Sequence, residues 1–452
     1  MIEPRSARRP VHPAWRQPLV LIPQHFGCLV YDRRTSRYFP FDIESASLLE
    51  QLSASPAGSV LDAEPDAARR EQARCFIEYF YRLGFFTVDG LLAADILDLV
   101  PPADHLAGPL AVHLEIITDC NLRCRHCFAH SPSRHERPMP VEEMDRLFGE
   151  LAAIGSFRLG LTGGEPLLHP DLLEIIDAAH SHGLHPCMTT NGLLINQRLA
   201  RELGRREPLR LNVSLDGATA ETNDAVRGAG TFHRVLERLA VLRRHSPFSL
   251  AFTLTSANVN QVEACAGLAR RVGAEAAVFR PLYPVGRAGE HPEWMPSYPQ
   301  YAAALQRLAG STAGDSRPCA TEPFGPLSRQ EREARVFRTS GCGAGNTVAS
   351  ISVDGSVSPC SFLGPKFHSG YLRRSSFTEI WHRAPQFVRF RRPHEDPVDS
   401  HGAHDGFSGG CRARALARSG AVDAPDPWLV AWAESRNIAA HPSVNLEVVR
   451  DD

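Results

Sequence analysis

Six apolar runs of strand length recur through the middle of the chain, at 112–118, 157–163, 185–191, 209–216, 248–254 and 276–282. The stretches between them predict helices near 141–154, 170–182, 196–204, 231–244 and 260–272. Strands and helices alternating in this way build a parallel sheet with right-handed crossovers.

Upstream the pattern changes. Residues 19–22 and 28–31 predict short strands, and a polar turn at 32–36 leads to a third run at 37–41, so the second and third read as a hairpin. Asp42 is placed to cap a helix through Leu52, with Ile43, Ala46 and Leu49 on one face. A second helix, near 67–83, carries Phe76, Tyr79, Phe80 and Leu83 at core spacing and stops at Gly84. Residues 85–88 then predict a closing strand. The proline-rich stretch 99–109 reads as a linker. Beyond the six runs, 351–357 reads as a further hairpin. Three units result: 1–105, 106–310 and 311–452.

Composition narrows the class without naming a chemistry. A chain of 452 residues is long enough for two or three domains. With 43% hydrophobic and 22% charged residues it has the make-up of an ordinary globular protein. The net charge of −2 gives no global case for nucleic acid or an anionic membrane as partner. Met1 to Arg5 lacks the apolar segment of a signal peptide, and no run reaches membrane-spanning length. Eleven cysteines in that context predict a reducing, cytoplasmic setting, where thiols bind metal rather than pair.

Three of those cysteines, Cys120, Cys124 and Cys127, stand at C-x3-C-x2-C directly after the first run. Thiolates are soft ligands that suit zinc or an iron–sulfur cluster. Three on one loop can hold three corners of a cubane and leave the fourth iron open. A structural zinc site needs a fourth protein ligand, for which His126 and His130 qualify by type. The spacing is not the paired C-x2-C of zinc ribbons.

Gly163-Gly164-Glu165-Pro166 follows the second run, and Ser214-Leu215-Asp216-Gly217 ends the fourth. Together with the cysteines they resemble the radical S-adenosylmethionine (SAM) superfamily over about residues 110–290, continuing in altered form to about 415. The resemblance implies a partial (β/α)6 TIM-type barrel. It implies a [4Fe-4S] cluster on Cys120, Cys124 and Cys127 whose free iron chelates the amino and carboxylate groups of SAM. In such barrels chemistry gathers at the C-terminal ends of the strands. Asn191, Thr253, Thr255 and Arg280 fall at the ends of the third, fifth and sixth runs, in keeping with that.

Within the resemblance, Gly163, Gly164 and Glu165 serve the methionine amino group, with Glu165 as acceptor. A turn with an unconnected glutamate is the plainer alternative. Ser214 and Asp216 take ribose hydroxyls or the charged end of the cofactor, unless Asp216-Gly217 is simply a turn. Arg227 resembles the arginine that faces the cofactor carboxylate, against a solvated arginine. Asn191 is counted with these contacts. Asn258 or Asn260 serves the adenosine side or caps the next helix. His126 and Phe128 pack near adenine or over the cluster. Cys187 and Cys265 read as buried small hydrophobes.

Cys342, Gly355 and Cys360 stand at C-x12-G-x4-C, and Cys411 follows Gly409-Gly410. These resemble the SPASM extension of peptide-modifying radical enzymes, which carries auxiliary [4Fe-4S] clusters. Where that family places further cysteines before Cys411, this chain has Phe407, His401 and Val398, and no cysteine follows Cys411. The resemblance therefore implies the shortened "twitch" form with one auxiliary cluster on Cys342, Cys360 and Cys411. Cys319, a substrate thiol, an open iron or the histidine-rich loop 394–404 supplies the fourth position. A zinc knot on the same cysteines is the rival.

The first unit is similar to the winged-helix-like peptide-recognition domains that resemble the peptide chaperone of pyrroloquinoline quinone biosynthesis. Such domains hold a leader peptide as an added strand; a small domain with no peptide partner is the alternative. The expected activity is reductive cleavage of SAM to methionine and a 5′-deoxyadenosyl radical, which abstracts hydrogen from a peptide during ribosomal peptide maturation. The expected partners are a precursor peptide and an electron donor such as flavodoxin or ferredoxin, with no nucleic acid and no membrane. Modification of a small molecule or tetrapyrrole, or a non-catalytic iron–sulfur scaffold, are the competing readings.

Overall fold

The computed structural model describes residues 17–131, 138–310, 317–320, 342–391 and 410–435. The N-terminal unit runs β1 (Leu19–Gln24), β2 (Gly27–Asp32), β3 (Arg37–Asp42), α1 (Ile43–Ala54), α2 (Ala57–Ala63), α3 (Ala67–Arg82) and β4 (Ala94–Ile96). Its sheet has the order β3-β2-β1-β4, antiparallel except for the β1–β4 pair. Both sheet faces are covered, which is why β1 and β2 are nearly continuous apolar runs. Leu19, Leu21, Cys28 and Val30 pack with Leu49, Leu52, Ile77 and Phe80 of the helices. Val20, Ile22, Leu29 and Tyr31 join the core of the neighbouring unit instead. Tyr31 stacks on Phe157 at 4.8 Å between ring centroids. The Tyr38 hydroxyl donates to the Gly155 carbonyl (2.9 Å) and accepts from the Phe157 N–H (2.7 Å).

Three expectations for this unit are corrected. Residues 85–88 form no strand: Phe85 is buried in the core while Val88 lies fully exposed in a turn, and β4 closes the sheet instead. Ile43 faces solvent at 68% exposure, because Asp42 caps the Ser45 N–H and turns the helix so that Ala46, Leu49 and Leu52 point inward. On α3, Ile77 and Phe80 are buried and Phe76 and Leu83 pack against the same core, but Tyr79 is half exposed.

The central unit is β5 (Ala111–Ile117), α4 (Val141–Ala153), β6 (Arg158–Gly163), α5 (Leu172–Ser181), β7 (His185–Thr190), α6 (Gln197–Gly204), β8 (Arg210–Ser214), α7 (Ala220–Arg227), α8 (Thr231–Leu242), β9 (Ser249–Leu254), α9 (Val262–Val272), β10 (Ala276–Pro281) and α10 (Tyr298–Gly310). Strands β5 to β10 lie side by side in sequence order, all parallel. On β5, Val112, Leu114 and Ile116 are fully buried in the core that the helices cover, while His113 and Glu115 lie on the other face. Burying each such aliphatic side chain contributes roughly 1.5–3 kcal/mol. Burial, with Arg280 next among the causes, holds the His113 imidazole down to about 4. Arg280 sits on β10, at the far end of the six-strand run, so its charge reaches His113 across the concave face. The sheet is curved as a partial barrel.

Beyond it come β11 (Arg317–Ala320), β12 (Val348–Ile351), β13 (Ser356–Ser358), β14 (Gly370–Tyr371), α11 (Phe377–Arg383), α12 (Pro385–Arg391), α13 (Arg412–Ser419) and α14 (Pro427–Ser435). The expected hairpin is β12–β13. Strand β12 also pairs in parallel with the free edge of β5, and β11 with β10, so the barrel sheet continues into the tail at both ends. Trp381 of α11 is fully buried and donates its indole N–H to the Leu106 carbonyl at 2.9 Å, which fastens the linker down.

Candidate active site

The loop that carries Cys120, Cys124 and Cys127 leaves β5 and is stapled from three sides. On the first, Gly164 and Glu165 donate backbone N–H bonds to the carbonyls of Ile117 (2.7 Å) and Asp119 (2.8 Å). This approach demands glycine. A Cβ on Gly163 would stand 2.1 Å from the Ile117 oxygen, and one on Gly164 2.1 Å from that of Asp119. On the second, Arg125 N–H donates to the Val226 carbonyl at the end of α7 (2.9 Å). On the third, Arg287 gives its Nε–H to the Cys124 carbonyl (2.8 Å), Nη2–H to that of Ser131 (2.8 Å) and its backbone N–H to that of Cys127 (3.0 Å). Sequence reasoning missed Arg287, which sits in no motif.

Glu165 is buried, at 1% exposure, with both oxygens engaged. Oε1 accepts from the Thr190 hydroxyl (2.5 Å) and the Leu167 N–H (3.0 Å), and Oε2 from the Asn191 N–H (2.7 Å). Burial raises its pKa, and these bonds oppose that rise. Asn191 extends the network: its side chain donates to Asn121 Oδ1 (2.7 Å) and accepts the Leu193 N–H (3.0 Å). The GGE turn, the end of β7 and the cysteine loop are thus one hydrogen-bonded assembly.

Asp216 forms the opposite wall and is wholly buried. Its Oδ2 lies 2.6 Å from Arg227 Nε and 2.8 Å from His126 Nε2, and its Oδ1 accepts the Thr253 N–H at 2.9 Å. Neither Oδ2 contact has the alignment of a hydrogen bond, and the one to Arg227 is an ion pair by distance. Burial pushes this carboxyl up, but Arg227 and His126 outweigh it and hold it well below the usual carboxylate range. Asn258 spends its whole amide on the same turn, accepting from the Thr255 N–H and donating to the carbonyls of Asp216 and Thr253. Asp216 is therefore a strut that sets Arg227 and His126, and Asn258 braces it. Ser214 is buried at the end of β8, and Asn260 is exposed.

The three thiols are free and half-buried. Burial pushes Cys124 up to about 11, and Arg227 opposes the shift. Cys120 is raised likewise, with Glu165, Cys127 and Arg227 all within range of its charge. Among the described residues no three His, Cys, Asp or Glu side chains gather tightly enough to hold one metal ion. The donor set nevertheless suits a cluster: three soft sulfurs on one braced loop, with a cation beside them that favours the thiolate form a ligand needs. A cavity of ≈ 470 Å³ opens beside them, with Cys120 and Arg227 in its lining.

A second thiol group lies in the tail. Cys342, Cys360 and Cys411 share one apolar cluster with Phe362, Leu363, Phe367 and Phe390. Burial raises the Cys342 and Cys411 thiols and pushes Cys360 up to about 12, and Cys342 adds to the rise at both others. Cys411 stands at the start of α13, and the backbone N–H groups of Arg412 and Ala344 oppose the rise at Cys342. Its loop is fixed by Asp426, which accepts the Cys411 N–H (2.6 Å) and pairs with the fully buried Arg414 (2.7 Å). Cys319 has its backbone in the outer strand β11, opposite Val278 of β10; its side chain lies outside the described residues. So do residues 394–404, with Val398 and His401 among them, and Phe407. Cys265 is buried and pushed up to about 12, and Cys187 accepts from Asn212 Nδ2 at 3.3 Å, so both pack as structural thiols.

The pattern of the Radical SAM superfamily matches residues 114–268, and that of SPASM, an iron–sulfur cluster-binding domain, matches 342–402. The chain is 32% identical to the mycofactocin maturase MftC of Mycobacterium ulcerans over 336 residues, 73% of this chain and 90% of that protein. It is 31% identical to the AdoMet-dependent heme synthase of Methanosarcina barkeri, over 72% of this chain and 97% of that protein. In fold it matches Streptococcus suis SuiB bound to its precursor peptide SuiA, with a TM-score of 0.64 at 12% identity, over 92% of this chain and 98% of that one. The chain belongs to the radical SAM superfamily: it is an enzyme of iron–sulfur and SAM chemistry with a SPASM-type cluster-binding extension.

Proposed function

We propose that this enzyme modifies a precursor peptide. One observation carries the reading. The mycofactocin maturase and the heme synthase align with 73% and 72% of this chain. SuiB, a fold solved with a precursor peptide bound, covers 92%. That longer fold match supports reading the N-terminal unit as part of the peptide-handling machinery. Its sheet ends in β3, which pairs on one side with β2 and has no strand on the other among the described residues. An extended leader peptide would add there as a further strand, its backbone supplying the missing ladder. The docked face of the same sheet would hold the leader at a fixed distance from the barrel.

Within the barrel, Cys120, Cys124 and Cys127 would hold the SAM-binding [4Fe-4S] cluster. When bound, it supplies the electron that cleaves SAM to methionine and the radical that takes hydrogen from the substrate. Gly163 and Gly164 would bring backbone close to the methionine end, with Glu165 as the acceptor for its ammonium and Arg227 as the cation for its carboxylate. Asn191 and Ser214 would line the same site. Asp216 would act one step back, by orienting Arg227. Cys342, Cys360 and Cys411 would hold one auxiliary cluster, with Cys319 as the candidate fourth ligand. A flavodoxin or ferredoxin would supply electrons, and the protein would work in the cytoplasm.

The test is to incubate anaerobically reconstituted protein with SAM, reductant and candidate precursor peptides. We expect 5′-deoxyadenosine and a mass change in the peptide. Turnover of a tetrapyrrole and not of the peptide would overturn the reading.

A further inference from the structure

The concave face of the barrel sheet is open and lined by small residues. Positions on the helix side of β5, β6, β9 and β10 are buried, whereas Gly160, Thr162, Ala251 and Thr253, which alternate with them, are only half-buried. Closed barrels fill this space with large branched side chains. Here Arg280 stands in it, exposed, in register with Thr253 of β9. Its guanidinium forms no ion pair or hydrogen bond with another described residue, and Glu115 on the same face has a partner of its own. Arg280 does not line the cavity beside Cys120. Arg158, the other cation near His113, starts β6, where its charge acts on Tyr31 and Tyr38 of the N-terminal unit. The tail closes the chamber. His113 Nδ1 lies 3.4 Å from Ser361 Oγ, and the next residue, Phe362, packs edge-on against Phe128 of the cysteine loop (5.1 Å between centroids) and stacks on Tyr283 beyond β10 (4.4 Å).

From this we infer that Arg280 is a specificity-determining residue, which receives a carboxylate of the peptide substrate inside the barrel. The inference rests on the peptide reading, which supplies the substrate class. A guanidinium offers a planar fork of N–H donors that a carboxylate meets with both oxygens. Inside a chamber walled by protein such a pair is stronger than in water. His113 is neutral at working pH, so it adds a hydrogen-bonding group beside the carboxylate and no competing charge. The carboxylate comes from an Asp or Glu side chain of the peptide or from its C-terminus, and the two sources share this chemistry.

The test is affinity selection on the reconstituted full chain with SAM bound. The probe is a mixed-sequence library of short peptides in matched forms: unmodified, with Asn and Gln in place of the acids, with an amidated C-terminus, and with both changes. We expect loss of one kind of carboxylate to cut the retained peptide about tenfold, and the form that loses it names the source. Arg280→Gln removes this preference and Arg280→Lys keeps part of it, while SAM binding, measured by equilibrium dialysis, is the same in both. Equal retention of all forms by wild type, or a preference that survives Arg280→Gln, overturns the proposal and leaves the peptide reading standing. Loss of SAM binding in Arg280→Gln overturns it as well, because the residue then serves the cofactor. Wild-type protein that retains none of the peptides and instead binds a propionate-bearing porphyrin would overturn the peptide reading, and the substrate named here with it.

Discussion

The molecule holds two groups of three cysteines, and they are built in opposite ways. Cys120, Cys124 and Cys127 sit within eight residues on one loop, half-exposed, beside an open cavity. Backbone contacts hold that loop from outside: two glycines, Arg287 and the end of α7. Cys342 and Cys360 flank the β12–β13 hairpin, and Cys411, some fifty residues on, joins them inside an apolar cluster. There the fixing element is a buried ion pair, Arg414 with Asp426. A site that must admit a cofactor keeps one side free and is braced through its backbone. A site that only has to hold a group can be sealed by side chains. Local sequence makes the first site, and tertiary folding makes the second.

Asp426→Ala should produce the largest effect. It leaves the fully buried Arg414 without its carboxylate and the Cys411 N–H without its acceptor. Removing one partner of a buried pair costs about 3–5 kcal/mol. Denaturant unfolding should show that loss, and iron should fall by the tail's share while SAM binding to the barrel persists.

Gly164→Ala attacks the other site. Its Cβ would meet the Asp119 carbonyl, a backbone atom with no room to yield, so about 1–3 kcal/mol of overpacking strain falls on the cysteine loop. Equilibrium dialysis should show SAM binding weakened by more than about tenfold, with tail iron retained. Arg287→Ala removes two charged bonds to loop carbonyls, each about 1.5–3 kcal/mol at most and weaker where water replaces the side chain. A chelator should then strip iron from the barrel site faster than from the tail.

The smallest effect concerns the contact between the linker and α11. His105 Nε2 and His382 Nδ1 lie 2.8 Å apart, linking the linker to α11. Burial, then His105, Arg391 and Arg383, hold His382 down to about 4 from an ordinary 6.5. The unfolded chain therefore takes up a proton first as pH falls. Stability should decline from about 6.5 toward about 4 and be full above that window. In His382→Gln the melting temperature should fall less over the same range.

The barrel was largely legible in the sequence, because each strand's apolar run and each helix's repeat are local signals. The polar residues at the strand ends were legible too, but not what they touch. Asp216 looked like a cofactor contact. Its neighbours Arg227, His126 and the Thr253 N–H come from three other segments, and only the fold brings them together. Arg287 and Asp426 carried no signal for the same reason. In the N-terminal unit, Ile43 misled because an apolar residue next to a cap is not fixed to the buried face. β4 was missed because a three-residue strand is defined by its partner, β1.

The most direct test is iron and sulfide content after anaerobic reconstitution. Wild type is compared with a Cys120/Cys124/Cys127→Ala variant and a Cys342/Cys360/Cys411→Ala variant. Wild type should hold about eight irons and each variant about four, with reductive SAM cleavage abolished only in the first. About four irons in wild type and none in the first variant would contradict this, leaving the tail thiols without a cluster.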